Sequence, residues 1–169
     1  MATLWSDKDW QVILEAADLP DGRQKEVVRV KRPDSAHILA FPTEKTVLML
    51  REFRPYYGEY IWMIPSGRVD KETDALAAAQ RELREETGFR AAKIEHWCTT
   101  HYSESVIAAN HIFLASDLTK DPLPSDDDEE IEVHELTLSD ALENVLQSPY
   151  VHTASAYALL RYMKEKQND

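Results

Sequence analysis

The sequence predicts an α/β protein in which a mixed β-sheet carries helices on both faces. Short segments rich in β-branched and aromatic residues alternate along the chain with segments of helical periodicity. Strands and helices that interleave in this way favour a layered α/β arrangement over an all-α or all-β one. The 169 residues, of which 43% are hydrophobic, suffice for one domain with a full core. We therefore expect residues 1–169 to form a single domain.

The N-terminal part of the chain is expected to be rich in strands. Residues 1–26 are mixed in character, and their apolar side chains are compatible with a strand or with a docking segment. Asp21-Gly22 is typical of a turn. The next strand candidates are residues 27–32, 36–41, 46–51 and 59–64. Because only four residues separate the second of these from the third, we expect those two to pair as a hairpin.

A helix is predicted from about residue 75 to residue 87. Asp74 or Thr73 can cap its N-terminus, and the alanine-rich segment 75–79 consists of strong helix formers. Gly88 is placed to be the left-handed residue that ends the helix. The positions expected to face the core, at spacings of three and seven, are Leu76, Ala79 and Leu83.

The second half of the chain predicts three further strands and two helices. The strand candidates are residues 94–99, 110–115 and 131–136, with a polar loop expected at 101–105. One helix is expected from a cap at Ser139 to about Gln147. The last helix is expected from Thr153 to Lys166. Its predicted buried side chains are Leu159, Leu160 and Met163.

Three carboxylates cluster in the last turns of the helix at 75–87. Glu82 and Glu86 are four residues apart and share a face, with Glu85 beside them. These charges repel one another and lie at the negative end of the helix dipole. Such a cluster is tolerated if water solvates it or if a divalent cation binds to it. Hard cations such as Mg²⁺ prefer carboxylate oxygens, usually alongside substrate phosphates.

The segment from Pro65 to Phe89 resembles a Nudix box, with the pattern G-x5-E-x7-R-E-U-x-E-E-x-G-U, where U is a bulky aliphatic or aromatic residue. The matching residues are Gly67, Arg81, Glu82, Leu83, Glu85, Glu86, Gly88 and Phe89. One position departs, because Thr73 stands where the pattern has its first Glu, with Glu72 next to it. In the family that Glu pairs with the arginine of the box, here Arg81.

The resemblance implies the Nudix fold, an α/β/α sandwich with a mixed sheet. It also implies that Mg²⁺ or Mn²⁺ is the cofactor and that Glu82 and Glu86 are its ligands. Glu85 would share or support the metal site, and the backbone carbonyl of Ser66 would join it. The alternative to a metal site is a solvated helix face whose charges fit the pattern by chance.

A second stretch, Leu50–Gly58, resembles the R-Q-Y/F-R-P element of the ADP-ribose and nucleoside-diphosphate-sugar hydrolase branch of the family. The following residues resemble the branch's E-L-P-A-G, with Met63 in place of Glu and Ser66 in place of Ala. We expect Arg51 and Arg54 to bind substrate phosphates, because guanidinium matches phosphate bidentately. Each could instead be a surface arginine in a salt bridge.

The acidic run at residues 126–130 has two interpretations. It is compatible with a solvated loop. In the branch that the chain resembles, the loop at this place supplies a carboxylate that acts as general base or as a further metal ligand. Glu129 is the best candidate by position, followed by Asp127 and Glu130. The resemblance therefore gives Glu85 and Glu129 as the candidate catalytic residues.

The composition of the chain bears on its binding partners and on its location. The formal net charge of −12 argues against binding to nucleic acid or to an anionic membrane. Cys98 is the single cysteine, so no intramolecular disulfide can form, which fits a cytoplasmic location. The N-terminus lacks the long apolar run of a signal peptide, and no segment has the apolar length of a membrane span.

The expected function follows from the resemblance. It implies a metal-dependent hydrolase that cleaves the diphosphate of ADP-ribose or a nucleoside-diphosphate sugar into a nucleoside monophosphate and a sugar phosphate. One alternative is hydrolysis of nucleoside triphosphates or dinucleoside polyphosphates. The other is a non-catalytic module that binds nucleotides. A small-molecule nucleotide is the expected partner, and a homodimer is expected, with residues 1–26 contributing to the interface.

Overall fold

The computed structural model describes residues 1–69, 74–124 and 130–167, and these residues form ten strands and three helices. The strands are β1 (Ala2–Ser6), β2 (Gln11–Asp18), β3 (Gln24–Lys31), β4 (Ser35–Ala40), β5 (Thr46–Arg54), β6 (Glu59–Met63), β7 (Ser66–Arg68), β8 (Phe89–Ser103), β9 (Val106–Lys120) and β10 (Ile131–Thr137). The helices are α1 (Ala75–Thr87), α2 (Leu138–Gln147) and α3 (Thr153–Lys166).

Strand β9 organises the larger sheet because it is long enough to pair with three other strands. One edge of β9 pairs with β8 in antiparallel fashion. The other edge pairs in parallel with β3 at Val106 and Ile107 and with β4 from Asn110 to Ala115. Strands β2 and β1 continue the sheet beyond β3, and β7 continues it beyond β4. The sheet is therefore mixed, which confirms the prediction.

A second, three-stranded antiparallel sheet has the order β10-β5-β6. The predicted hairpin between residues 36–41 and 46–51 is therefore wrong. Strand β4 pairs with β9 and β7, whereas β5 pairs with β10 and β6. Every residue of β4 and most residues of β5 are buried, and each of these strands lies between two partners inside its own sheet. Residues 41–45 carry the chain from one sheet to the other.

The helices cover opposite faces of β4. Ile38 and Ala40 pack in one buried cluster with Ala79 and Leu83 of α1. Leu39, which points the other way from its neighbours, packs in a second cluster with side chains of α2 and α3. This layering confirms the predicted α/β class with helices on both faces. Among the described helices, none is long and apolar enough to cross a membrane.

Helix α1 begins and ends where the sequence predicts. Asp74 caps it by accepting a hydrogen bond from the backbone N–H of Leu76 at 3.1 Å, and Gly88 ends it with a φ of 75°. Ala79 and Leu83 are fully buried, as expected. The prediction for Leu76 is wrong, because its side chain is 38% exposed. The smaller side chains of Ala75 and Ala78 pack against the core in the first turn.

Other boundaries differ from the prediction. Residues 101–103 are not a loop, because the ladder between β8 and β9 continues to Ser103 and leaves only residues 104 and 105 for the turn. Helix α2 is capped by Thr137 rather than by Ser139. Helix α3 has the predicted bounds, and its Leu159 is buried as expected. Leu160 is 51% exposed, since it lies on the outer side of that helix.

Candidate active site

A cleft of about 630 Å³ lies where the C-terminal turns of α1 meet β7 and the neighbouring strands. Carboxylates, arginines and histidines dominate its lining. Its charged and imidazole-bearing residues are Arg32, His37, Glu52, Arg54, Arg68, Arg81, Glu82, Glu86 and His152. These residues come from widely separated parts of the chain, and the cleft is therefore a product of the fold rather than of one motif.

Gly67 allows the carboxylate of Glu82 to lie against the backbone of β7. A Cβ atom added to Gly67 would sit 1.9 Å from both Cδ and Oε1 of Glu82. No real side chain tolerates such a contact, so a residue larger than glycine would displace the Glu82 carboxylate. Residue 67 must therefore be glycine for the Glu82 carboxylate to lie this close to the backbone of β7.

Arg81 holds two of the three clustered carboxylates. Its Nη2 lies 2.8 Å from Oε1 of Glu82, and its Nη1 lies 2.5 Å from Oε2 of Glu85. Nη2 also donates to the backbone oxygen of Arg68 at 3.3 Å, which ties the helix to the end of β7. All three side chains are less than one-fifth exposed. Arg81 is therefore a structural partner of Glu82 and Glu85. Glu72 and Thr73 lie outside the described residues.

Glu86 and Glu85 have different surroundings. Oε2 of Glu86 accepts a hydrogen bond from the backbone N–H of Ser66 at 2.8 Å, and Glu86 lines the cleft together with Glu82. Glu85 turns toward Arg81 and is absent from the lining. The structure thus brings Glu82, Glu86 and Ser66 together and places Glu85 one step away from the cleft.

The residues at this end of the cleft fit a hard divalent cation. Glu82, Glu86 and the backbone of Ser66 offer only oxygen ligands, which Mg²⁺ and Mn²⁺ prefer. Within the described ranges, no three His, Cys, Asp or Glu side chains converge on one point as a complete metal cage. Mg²⁺ does not need such a cage, because it usually uses one or two carboxylates and takes its remaining ligands from water and substrate phosphates.

Arg51 and Arg54, the two arginines of the stretch Leu50–Gly58, have different environments. Arg54 lines the cleft, and its Nη2 lies 2.8 Å from Oε2 of the buried Glu52 and 3.2 Å from the sulfur of Met63. Arg51 points to the opposite face of β5, because side chains alternate along a strand. There its Nη1 bonds Glu132 at 2.8 Å and its Cζ lies 4.0 Å above the Tyr60 ring. The structure places Arg54, but not Arg51, in the cleft of this chain.

The carboxylates proposed from the acidic run are only partly described. Glu129 and Asp127 lie outside the described residues. Glu130 lies next to β10, where its carboxylate accepts a hydrogen bond from the hydroxyl of Tyr60 and its backbone oxygen accepts from Phe53 N at 3.1 Å. Glu130 does not line the cleft, so its contacts favour an anchoring role between β10 and the neighbouring strands.

Two histidines in the cleft were not expected from the sequence. Nε2 of His37 lies 3.1 Å from Oδ1 of Asn110, and the two imidazole rings of His37 and His152 are 5.4 Å apart. Nδ1 of His152 lies 2.6 Å from Oγ of Ser155. Burial lowers the pKa of His37 to about 3, while burial and the charge of Arg54 lower the pKa of His152 to about 4. Both imidazoles are therefore neutral at physiological pH.

One further cleft residue, Glu52, does have a local signal, because it is a charged residue inside a strand that is mostly apolar. The two histidines have no such signal. His37, Asn110 and His152 are separated by more than a hundred residues in total, and no local pattern connects them. Only the pairing of β4 with β9 brings Asn110 next to His37.

Comparisons with known proteins agree with this fold. The model of the Nudix domain family matches residues 31–157. An ADP-ribose pyrophosphatase of Bacillus subtilis is 33% identical over 168 residues, which cover 97% of this chain and 90% of that protein. A methanol dehydrogenase activator of Bacillus methanolicus is 27% identical over 84% of this chain and 78% of its own length. A solved structure of an ADP compounds hydrolase superposes with a TM-score of 0.77 at 22% identity, covering 98% of this chain and 92% of that one.

Proposed function

This chain belongs to the Nudix family, and from that membership we propose that it is a metal-dependent hydrolase acting on ADP-ribose or nucleoside-diphosphate sugars. Water would cleave the diphosphate to give a nucleoside monophosphate and a sugar phosphate. The observation that carries the proposal is that Glu82, Glu86 and Arg54 line one cleft. Carboxylate oxygens suited to a divalent cation and a guanidinium suited to phosphate therefore share one space. The relative that is named an ADP-ribose pyrophosphatase supports the choice of substrate class.

Glu82, Glu86 and the backbone carbonyl of Ser66 would hold Mg²⁺ or Mn²⁺, with Glu85 in a supporting position. A bound cation of this kind neutralises phosphoryl charge and lowers the pKa of water. Arg81 keeps Glu82 in place through an ion pair of 2.8 Å, and Gly67 leaves room for that carboxylate.

Arg54 would orient the diphosphate, because its planar guanidinium can donate two hydrogen bonds to one phosphoryl group. Arg51 remains a second candidate for this task, although it lies outside the cleft of its own chain. A carboxylate must accept the proton of the attacking water, and Glu85 and Glu129 are the candidates. Glu85 needs to move away from Arg81 to do so, since the two groups are 2.5 Å apart.

We further propose that the protein works as a homodimer in the cytoplasm, with residues 1–169 acting as one domain. The single cysteine, Cys98, fits a reducing compartment. Strand β1 is exposed along its length, and Trp5 is 53% exposed, as expected for a segment that packs against another subunit. Light scattering of the purified protein tests the dimer, and deletion of residues 1–6 should give a monomer if β1 forms the interface.

A substrate panel tests the proposed activity against its alternatives. The protein is incubated with Mg²⁺ and, in separate reactions, ADP-ribose, nucleoside-diphosphate sugars, nucleoside triphosphates and dinucleoside polyphosphates. The proposal predicts the highest kcat/KM for ADP-ribose or a nucleoside-diphosphate sugar. Preferential cleavage of triphosphates or dinucleoside polyphosphates would favour the first alternative. Binding of ADP-ribose without any product over hours would favour the non-catalytic binding module.

A further inference from the structure

Four arginines of the described chain line the cleft, and three of them are paired with carboxylates. These pairs are Arg54 with Glu52 at 2.8 Å, Arg68 with Asp9 at 3.1 Å, and Arg81 with Glu82 at 2.8 Å. A phosphate that approaches any of these three arginines meets a guanidinium whose charge is already balanced in part by the protein. The fourth arginine, Arg32, has a different environment.

Within the part of the chain that the structure describes, Arg32 donates hydrogen bonds only to neutral oxygens. Its Nη2 lies 2.7 Å from Oγ of Ser35, and its Nε lies 3.3 Å from the backbone oxygen of Pro33. No carboxylate among residues 1–69, 74–124 and 130–167 forms an ion pair with it. The chain carries a formal net charge of −12, so a partly buried cation without a carboxylate partner stands out. Its charge is available to an anion that enters the cleft.

Two aromatic rings hold the Arg32 guanidinium in place. Its Cζ lies 4.8 Å from the ring centroid of Tyr102 and 5.5 Å from that of Trp10. Tyr102 belongs to β8, and Trp10 belongs to the turn between β1 and β2. Cation–π contacts restrict the guanidinium without cancelling its charge, because the rings carry no net charge. The side chain is therefore held in position for a planar, bidentate contact.

We propose that Arg32 binds a phosphoryl group of the substrate and that Trp10 and Tyr102 position its guanidinium for this contact. This inference rests on the proposed function and identifies a phosphate-binding residue outside the Nudix box and outside the upstream arginine element. A phosphoryl group can pair with Arg32 without displacing any carboxylate of the described chain. At Arg54, Arg68 or Arg81 it has to compete with an existing ion pair.

The test uses methylenediphosphonate, a diphosphate analogue that water cannot cleave, in the presence of Mg²⁺. Calorimetric titration gives its Kd for the wild type and for Arg32→Gln. Loss of a charge-assisted contact should weaken binding by about tenfold to a hundredfold. Arg32→Lys keeps the charge but loses the planar fork, so its Kd should fall between the two. Tyr102→Leu should weaken binding less than Arg32→Gln does.

Arg161→Gln is the matched control. Arg161 also lies over an aromatic ring, with its Cζ 4.4 Å from the Trp97 centroid, but it is paired with Glu165 on α3 and does not line the cleft. Its replacement should leave the Kd of methylenediphosphonate unchanged. If Arg32→Gln fails to fold, the Nε–H resonance of Arg32 in the wild type, assigned from its loss in Arg32→Lys, should shift during the titration.

The inference is overturned if Arg32→Gln binds methylenediphosphonate as tightly as the wild type, or if the Arg32 resonance stays unmoved at saturation. Hydrolysis of ADP-ribose by the wild type is measured separately. If the wild type releases AMP and Arg32→Gln binds normally, only the role of Arg32 is wrong. A third outcome is that the wild type does not hydrolyse ADP-ribose, whereas Arg32→Gln binds methylenediphosphonate more weakly than the wild type does. In that case the proposed hydrolysis is wrong and the contact between Arg32 and a phosphoryl group stands.

Discussion

The carboxylate of Glu82 occupies the space that a side chain at Gly67 would need. A Cβ atom at residue 67 would lie 1.9 Å from Cδ of Glu82. Gly67 and Glu82 of the Nudix box are therefore coupled, because a larger residue at position 67 would displace the Glu82 carboxylate.

Gly67→Ala should reduce the rate of ADP-ribose hydrolysis by at least about tenfold while leaving the protein folded, since it forces the Glu82 carboxylate to move. Gly22→Ala is the control for activity, because nothing lies within 4 Å of a Cβ there and Gly22 does not line the cleft. Its φ of 83° strains an alanine, so this variant should lose thermal stability without losing turnover. Steady-state kinetics and thermal unfolding of both variants check the prediction. Equal activities of the two variants would contradict the importance of the Glu82 position.

Glu86→Gln should retain the fold and lose activity by about a hundredfold or more. The amide oxygen of glutamine can still accept the hydrogen bond from Ser66 N, but the variant lacks the negative charge that a divalent cation requires. Circular dichroism checks the fold, and turnover with Mg²⁺ checks the function. Glu95→Gln, at an exposed position on β8, serves as the control. A Glu86→Gln variant with normal turnover would remove Glu86 from the metal site.

Arg54→Gln should raise the KM for ADP-ribose by about tenfold or more, because it removes a charged donor from the cleft. Arg51→Gln should have a smaller effect, since Arg51 is bound to Glu132 on the other face of β5. The two variants are matched because both arginines lie on the same strand and both are paired with a glutamate. An equal rise in KM for Arg51→Gln would mean that Arg51 reaches a substrate, for example across a dimer interface.

The buried histidines should make the protein sensitive to acid. The pKa of His37 is about 3 in the folded protein, against 6.5 for an ordinary histidine, so the unfolded chain binds more protons between these values. The free energy of unfolding should therefore fall as the pH falls below about 6.5. From pH 6.5 to pH 5, His37 alone should contribute a loss of about 2 kcal/mol.

Urea unfolding of the wild type and of His37→Gln at several pH values measures this contribution. The variant should lose less stability than the wild type over the same interval, because glutamine does not titrate. Parallel curves for the two proteins would contradict the low pKa of His37. His152→Gln offers a second comparison. The pH range in which His152 lowers the free energy of unfolding should end near pH 4, because the pKa of His152 is about 4.

Sequence reasoning succeeded where the determinants are local. The bounds of α1 follow from Asp74 and Gly88, which cap the helix through contacts within a few residues. The resemblance to the Nudix box implied that Glu82, Glu86 and Ser66 lie together, and the structure brings these three residues to one cleft. The hairpin prediction failed because the pairing of β4 and β5 depends on β9 and β10, which lie far away in the sequence.

Two features of the cleft could not be predicted without the three-dimensional fold. Arg51 and Arg54 look alike in the sequence, and only the alternation of side chains along β5 separates them into two environments. Arg32, His37 and His152 belong to no shared motif, and their approach depends on how the two sheets and α3 pack. Charge and composition could indicate that a phosphate site was needed but could not say which arginine of the cleft lacks a carboxylate partner among the described residues.

Metal-dependent release of AMP from ADP-ribose tests the central claim most directly. The wild type and a Glu82→Gln/Glu86→Gln variant are incubated with ADP-ribose and Mg²⁺, and AMP and ribose phosphate are quantified over time. Equal amounts of the two products are expected from the wild type, with loss of activity on adding EDTA and no activity in the variant. Product formation that persists in EDTA or in the double variant would contradict the assignment of Glu82 and Glu86 as the ligands of a catalytic cation.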